Sequence, residues 1–184
     1  MIQNASSKIC QPLFKTEPRK ISELFLFRQL RKKNYFEKIR KISSNKRRFL
    51  PLLLIADPDE NMIGRYLDRG DLFALYDSGE LKSVCVVTAE SETVCELKNL
   101  ATAETARNRG YATALIRHIV EVYRGRFSAM QVGTGDFPKI LRFYEKCGFV
   151  LSHRIAGFFT DHYPEPVFEE GVLLIDMVYL KQAL

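Results

Sequence analysis

The sequence predicts a mixed α/β or α+β layer, and three observations carry that expectation. Residues 71–102 read as strands joined by short turns, an antiparallel meander. From residue 107 onward, helical and strand periodicities alternate as a βαβα unit. The 184 residues are 46% hydrophobic and 27% charged, enough for one domain with a real core. An all-helical or an all-β fold fits none of these.

The elements follow in order. "EKIRKI" alternates and reads as a strand. "SSNKRRFLPLLLIAD" opens with Ser and Asn caps and reads as one helix, with Pro51 an irritant inside it. "DPDENMIGRYLDRG" starts a helix at Asp57-Pro58 and stops it at Gly70. "DLFALYDSGELKSVCVVTAES" is two strands around a turn near Ser78-Gly79, and "ETVCELKNLATA" is another strand. Residues 107–124 form a helix with Ala112, Leu115, Ile116, Ile119 and Tyr123 on one face. "RFSAMQVGTG" is a strand. "FPKILRFYEKCG" is a helix with Phe137, Ile140, Leu141 and Tyr144 together and Gly148 past its end. "FVLSHRI" and "GVLLIDMVYLKQ" close the chain as strands.

Residues 1–35 read as a basic N-terminal extension, separate from a domain over residues 36–184. Residues 1–49 carry 14 Lys and Arg against 3 Asp and Glu, whereas residues 50–184 carry 14 against 19. Such a block can touch nucleic acid or anionic lipid, but a solvated arm or helix is the expectation preferred here, without nucleic acid as a partner. Leu24, Phe25 and Phe27 of the arm are apolar enough to pack on the domain or across a homodimer. The longest apolar run, "FLPLLLIA", is too short to span a membrane and contains Pro51. The N-terminus shows no sustained apolar segment of the signal-peptide kind, so a cytoplasmic location is expected. Cys10, Cys85, Cys95 and Cys147 are scattered, and His118, His153 and His162 join them in no metal-ligand spacing, so no metal is expected.

The chemistry concentrates in "ARNRGYATALIRHI". Arg107 and Arg109 stand where a helix begins, against the helix dipole, which favours anions there. A strand, a short loop and a helix N-terminus expose unpaired backbone N–H groups that suit a phosphate. Gly110 and the small Ala112 let the backbone come close, and the two arginines add charge-assisted donors. The alternative is a solvated turn before an amphipathic helix. A P-loop is absent, and "GTGDFP" starts like a dinucleotide fingerprint but ends in Pro138.

What matches is R-x-x-G-x-A, formed by Arg107, Gly110 and Ala112. It resembles the pyrophosphate-binding signature of the GNAT superfamily of N-acetyltransferases. "NLATA" looks like that family's central strand, and "FYEKCGF" like its second motif. The tail "GFFTDHYPEPVFEEGVLLIDMVYL" is similar to that of small bacterial GNAT enzymes of poorly assigned substrate. The resemblance covers roughly residues 36–184. It implies the acyl-CoA N-acyltransferase fold, a central, mostly antiparallel sheet flanked by helices. It also implies acetyl transfer from acetyl-CoA, as cosubstrate, to a primary amine on a small molecule or peptide, without a metal. The cofactor-binding residues it implies are Leu100, Ala101 and Thr102 on the strand, then Arg107, Asn108, Arg109, Gly110, Tyr111, Ala112 and Thr113. The alternatives are a non-catalytic acyl-CoA-binding module and a nucleic-acid- or membrane-associated protein acting through the basic N-terminal arm.

Within that resemblance Tyr144 is the candidate acid for the departing thiolate, its alternative being a core tyrosine. Glu96 is the candidate base, its alternative a solvated strand carboxylate or a partner of Lys98's neighbours. Asp161 and His162 lie in a loop that in the family often borders the acceptor, and His162 is a second candidate base or simply exposed. Cys147 reads as a packed helix-end cysteine, since direct transfer needs no cysteine nucleophile.

Overall fold

A computed structural model describes residues 38–184. The basic extension expected over residues 1–35 lies outside the described residues.

Seven strands form one sheet in the order β1-β2-β3-β4-β5-β9-β6. β1 (Ile39–Ile42), β2 (Asp71–Asp77), β3 (Glu80–Ala89) and β4 (Val94–Thr102) make the expected antiparallel meander. β4 then pairs in parallel with β5 (Ala129–Gly135), the one parallel pairing in the sheet among the described residues. β9 (Met177–Ala183) inserts antiparallel between β5 and β6 (Val150–Ile155). β7 (Phe168–Glu169) and β8 (Val172–Leu173) form a separate small hairpin.

Helices cover both faces of the meander. α3 (Tyr111–Tyr123) bridges β4 to β5, and α4 (Pro138–Lys146) leads to β6. Their apolar stripes pack with Phe73, Cys85, Val87, Leu97, Val132 and Leu180 in the larger core cluster. α3 buries Leu115, Ile116, Ile119, Val120 and Tyr123, the face its periodicity predicts, while Ala112 is only half-buried. α1 (Leu50–Leu53) and α2 (Glu60–Leu67) pack on the other face with Leu72, Ala74, Val84, Val86 and Ala101. Burial on both faces explains why β3 reads as a nearly unbroken apolar run rather than an alternation.

Several boundaries differ from expectation. The helix expected across "SSNKRRFLPLLLIAD" is a 3-10 turn over Lys46–Phe49 followed by α1. Pro51 sits in the first turn of α1, where its missing N–H costs nothing. α2 starts at Glu60 because the Asp59 side chain, not the Asp57-Pro58 pair, accepts the N–H groups of Asn61 and Met62. The helix expected from residue 107 starts at Tyr111, because Asn108 and Gly110 take left-handed φ values of 60° and 85°. The strand expected across "GVLLIDMVYLKQ" breaks into β8 and β9, and the loop before it contains a short helix, α5 (Phe158–His162).

Candidate active site

β4 and β5 stay paired only from Val94 and Ala129 to Leu97 and Val132. Beyond that point β4 continues to Thr102 against β3, and β5 continues to Gly135 against β9, so the two strands part. A bulge falls at the same place. Val87 opposes Leu97 and Val86 opposes Asn99, which leaves Lys98 as the extra residue. A bulge bends its strand and interrupts pairing, which accounts for the parting. The Ala103 N–H donates to the Lys82 carbonyl at 2.9 Å. By strand alternation the peptide groups of Ala101 and Ala103 face β3, and those of Leu100 and Thr102 face the opening. Backbone donors with no strand opposite them therefore line one side of it.

The N-terminus of α3 lies at the same end of the sheet, since α3 follows the C-terminal end of β4. Among the described residues no side chain caps it. Left-handed residues at Asn108 and Gly110 turn successive peptide planes, an arrangement that gathers N–H groups into anion-binding concavities. Arg107 and Arg109 are exposed, and among the described residues neither pairs with a carboxylate. The Tyr111 side chain is in the core and its hydroxyl donates to Asp77 at 2.7 Å, so the side chain is not available to a ligand at this turn. Ala112 and Thr113 are half-buried in the first turn. A Cβ added at Gly110 meets nothing within 4 Å, so its requirement for glycine comes from φ rather than from crowding by the protein.

Tyr144 is 8% exposed and packs edge-on against Phe143 and Phe149. Among the described residues no hydrogen bond holds its hydroxyl. Burial raises its pKa far above the ordinary phenol, followed by the influence of Cys147 and Cys85. Cys85 is the cross-strand partner of Leu100, so Tyr144 sits within electrostatic reach of the part of β4 that lines the opening. Cys147 caps α4, interacts with Thr113 and has its thiol pKa raised by burial, which suits the packed role.

Glu96 is 5% exposed and alternates with Cys95 and Leu97, on the face opposite α3 and α4. It is no solvated strand carboxylate. Lys98 Nζ and Gln131 Nε2 each donate to it at 2.8 Å. Nearby Tyr179 has its pKa pushed up to about 12, first by burial and then by the Glu96 charge. His162 is exposed on α5, its ring stacked on Phe158 at 4.5 Å and its Nδ1 2.9 Å from the Phe158 carbonyl. Asp161 is exposed beside Thr160.

One cluster was not anticipated from sequence. Asp57, between α1 and α2, accepts from the hydroxyls of Tyr66 at 3.2 Å and Tyr163 at 3.3 Å. Asn99 on β4 donates to the same Tyr66 oxygen and to the Leu53 carbonyl, each at 3.1 Å. The Asp57-Pro58 pair carries only a turn signal, and Tyr163 is 106 residues away in the chain.

Among the described residues no group of three or more His, Cys, Asp or Glu could hold a metal ion. No described helix is long and apolar enough to cross a membrane.

Residues 68–151 match the acetyltransferase (GNAT) domain family. An uncharacterized N-acetyltransferase, YvbK, of Bacillus subtilis is 32% identical over 131 residues, covering 70% of this chain and 84% of that protein. A GNAT family acetyltransferase from Elizabethkingia anophelis, solved with acetyl-CoA bound, superposes with a TM-score of 0.75 at 30% identity, covering 79% of this chain and 97% of that one. A Bacillus subtilis acetyltransferase solved in complex with CoA superposes with a TM-score of 0.73 at 30% identity, covering 80% and 98%.

Proposed function

The chain belongs to the GNAT acetyltransferase family and is an acyltransferase, and on that premise we propose that it moves an acetyl group from acetyl-CoA to a primary amine by direct attack in a ternary complex. The observation that carries this reading is the parting of β4 from β5 beyond Leu97, next to the uncapped N-terminus of α3. In this reading the pyrophosphate lies on the N–H groups of Asn108 to Thr113, with Arg107 and Arg109 as charge-assisted donors. The pantetheine arm runs along the edge of β4 at Leu100 and Thr102 into the opening, whereas Ala101, also expected there, turns its peptide to β3 and its side chain into the core under α1 and α2. Relatives solved with acetyl-CoA or CoA bound support that choice of cosubstrate.

A free amine attacks the thioester carbonyl, and the oxyanion that forms takes a hydrogen bond from a backbone N–H of β4 facing the opening, with Leu100 the nearest to the bulge. The carbon–sulfur bond then breaks, Tyr144 gives its proton to the thiolate, and the proton that the nitrogen must lose to become an amide restores the phenol. A phenol held protonated by burial can do this at neutral pH. An alkylamine is mostly charged at neutral pH, so a proton must leave before attack. Glu96 is our candidate to take it. Glu96→Gln then lowers the rate most at low pH, where the acceptor is most fully protonated, and an equal loss at every pH assigns Glu96 a structural role.

The test of the whole reading is turnover of acetyl-CoA against a library of amines, followed by free-thiol release. Thiol release that depends on an amine is the expected result. Binding of acetyl-CoA without turnover on any amine favours the non-catalytic acyl-CoA-binding module.

A further inference from the structure

The sheet ends at β6, and every residue from Val150 to Ile155 is exposed. Val150 is 66% exposed, Leu151 61% and Ile155 38%. β9 pairs one side of β6, and among the described residues no strand pairs the other. Such an edge offers a free row of N–H and C=O groups, which proteins ordinarily guard with lysine, proline or a short strand. β1, at the opposite edge, is guarded in this way, with four residues that include Arg40 and Lys41. β6 is longer and has neither lysine nor proline. Its arginine, Arg154, is neutralised within the chain by Asp136 at 2.7 Å and Asp176 at 2.8 Å.

The pattern of β6 is complementary to itself. A bulge falls at Ser152, since Leu151 opposes Leu180 and His153 opposes the next residue of β9, Tyr179. The extra residue resets the alternation of faces. Val150, His153 and Ile155 align with Lys181, Tyr179 and Met177 on one face, and Leu151 and Arg154 align with Leu180 and Val178 on the core face. Directly opposed residues of an antiparallel pair share a face. A second β6 laid antiparallel with Val150 opposite Ile155 meets that condition, and Leu151 then lies opposite Arg154. In an unbulged strand Val150 and Ile155 would point to opposite faces. This register sets apolar on apolar on one face and the Arg154 stem against Leu151 on the other, and it opposes no like charges. A two-fold axis between Ser152 and His153 generates it and closes the assembly at two copies.

The basic N-terminal extension is the competing occupant, and it fits less well. It enters the domain beside β1, six strand spacings from β6, or roughly 29 Å at about 4.8 Å each. Its positive charge meets no carboxylate on β6. We infer that β6 is the interface of a homodimer, in which two copies pair their β6 strands antiparallel, Val150 against Ile155, into one continuous sheet. The inference does not depend on the acetyl-transfer reading.

The test is sedimentation velocity of the full chain over a wide range of concentration. The wild type is expected to form a dimer that dissociates on dilution. Leu151→Lys sets a lysine opposite the second copy's Arg154, twice in each dimer, and is expected to weaken association by about tenfold or more. Leu151→Glu puts a carboxylate in the same place and is expected to keep or tighten the dimer. Val150→Lys sets a cation against the second copy's Ile155, is expected to weaken association as well, and serves if Leu151→Lys does not fold. Cooperative thermal melting identifies the folded variants. A wild type that is monomeric at every concentration overturns the inference. So does a dimer that folded Leu151→Lys or Val150→Lys leaves equally strong, and so does a Leu151→Glu variant weakened as much as Leu151→Lys.

Discussion

Tyr144 shows how burial and chemistry meet in one side chain. Its ring belongs to the core, as periodicity predicts, and its hydroxyl has no hydrogen bond among the described residues. Tyr144→Phe keeps volume and packing nearly constant. If the hydroxyl protonates the thiolate, kcat falls by roughly 10²–10⁴-fold while acetyl-CoA affinity barely changes. A folded variant with full kcat makes Tyr144 a packing residue. Asp77 offers a test of a different kind. The bond from Lys38, then the one from the Tyr111 hydroxyl, lower its pKa to about 2. An unfolded aspartate titrates near ~3.9. The folded value is the lower one, so the ionised carboxylate stabilises the fold above the unfolded value. That contribution fades as pH falls through the window down to about 2. Urea midpoints of the wild type and Asp77→Asn should therefore differ modestly at neutral pH and converge on acidification, while a gap that persists at low pH points to packing around Tyr111.

At the scale of elements, the start of α3 is the decisive junction. Gly110 is left-handed with open space beyond it, so two effects of substitution are separable. Gly110→Val should lose about 1–2 kcal/mol of stability from backbone strain. Gly110→Asn tolerates the same φ and isolates the effect of a side chain on the ligand. Both variants should bind acetyl-CoA more weakly by calorimetry. Unchanged affinity in folded Gly110→Asn means that the loop does not hold the cofactor. The Lys98 bulge plays the matching part on β4. It ends the parallel pairing and shifts the strand's register, so that Asn99 joins Glu96 on the α1 and α2 side.

For the whole molecule, the described residues carry a seven-stranded sheet and two core clusters within residues 39–184. Removal of residues 1–35 should leave a cooperatively melting protein that acetyl-CoA stabilises. Ligand at a hundred times its dissociation constant contributes about 2.7 kcal/mol, and ATP or NAD should contribute much less. A truncated chain that is insoluble assigns Leu24, Phe25 and Phe27 to packing on the domain or across a homodimer. A scan in which ATP or NAD stabilises more than acetyl-CoA removes the cofactor assignment.

By itself the sequence determined what depends on neighbours along the chain. The meander, the buried face of α3, the glycine at its start and the Arg107–Ala112 signature are all set within a dozen residues of periodicity and backbone preference. It also carried the family, because the phosphate cradle is one contiguous segment. Tertiary structure alone decided what depends on distant partners. β9 enters between β5 and β6 from the far end of the chain. Glu96 turns out buried because Gln131 crosses to it from β5. Asp57, a turn signal in the sequence, becomes a half-buried carboxylate only when Tyr66, Tyr163 and Asn99 converge on it. Periodicity records which face of an element is buried, and the partners on that face are fixed only when the sheet closes its order.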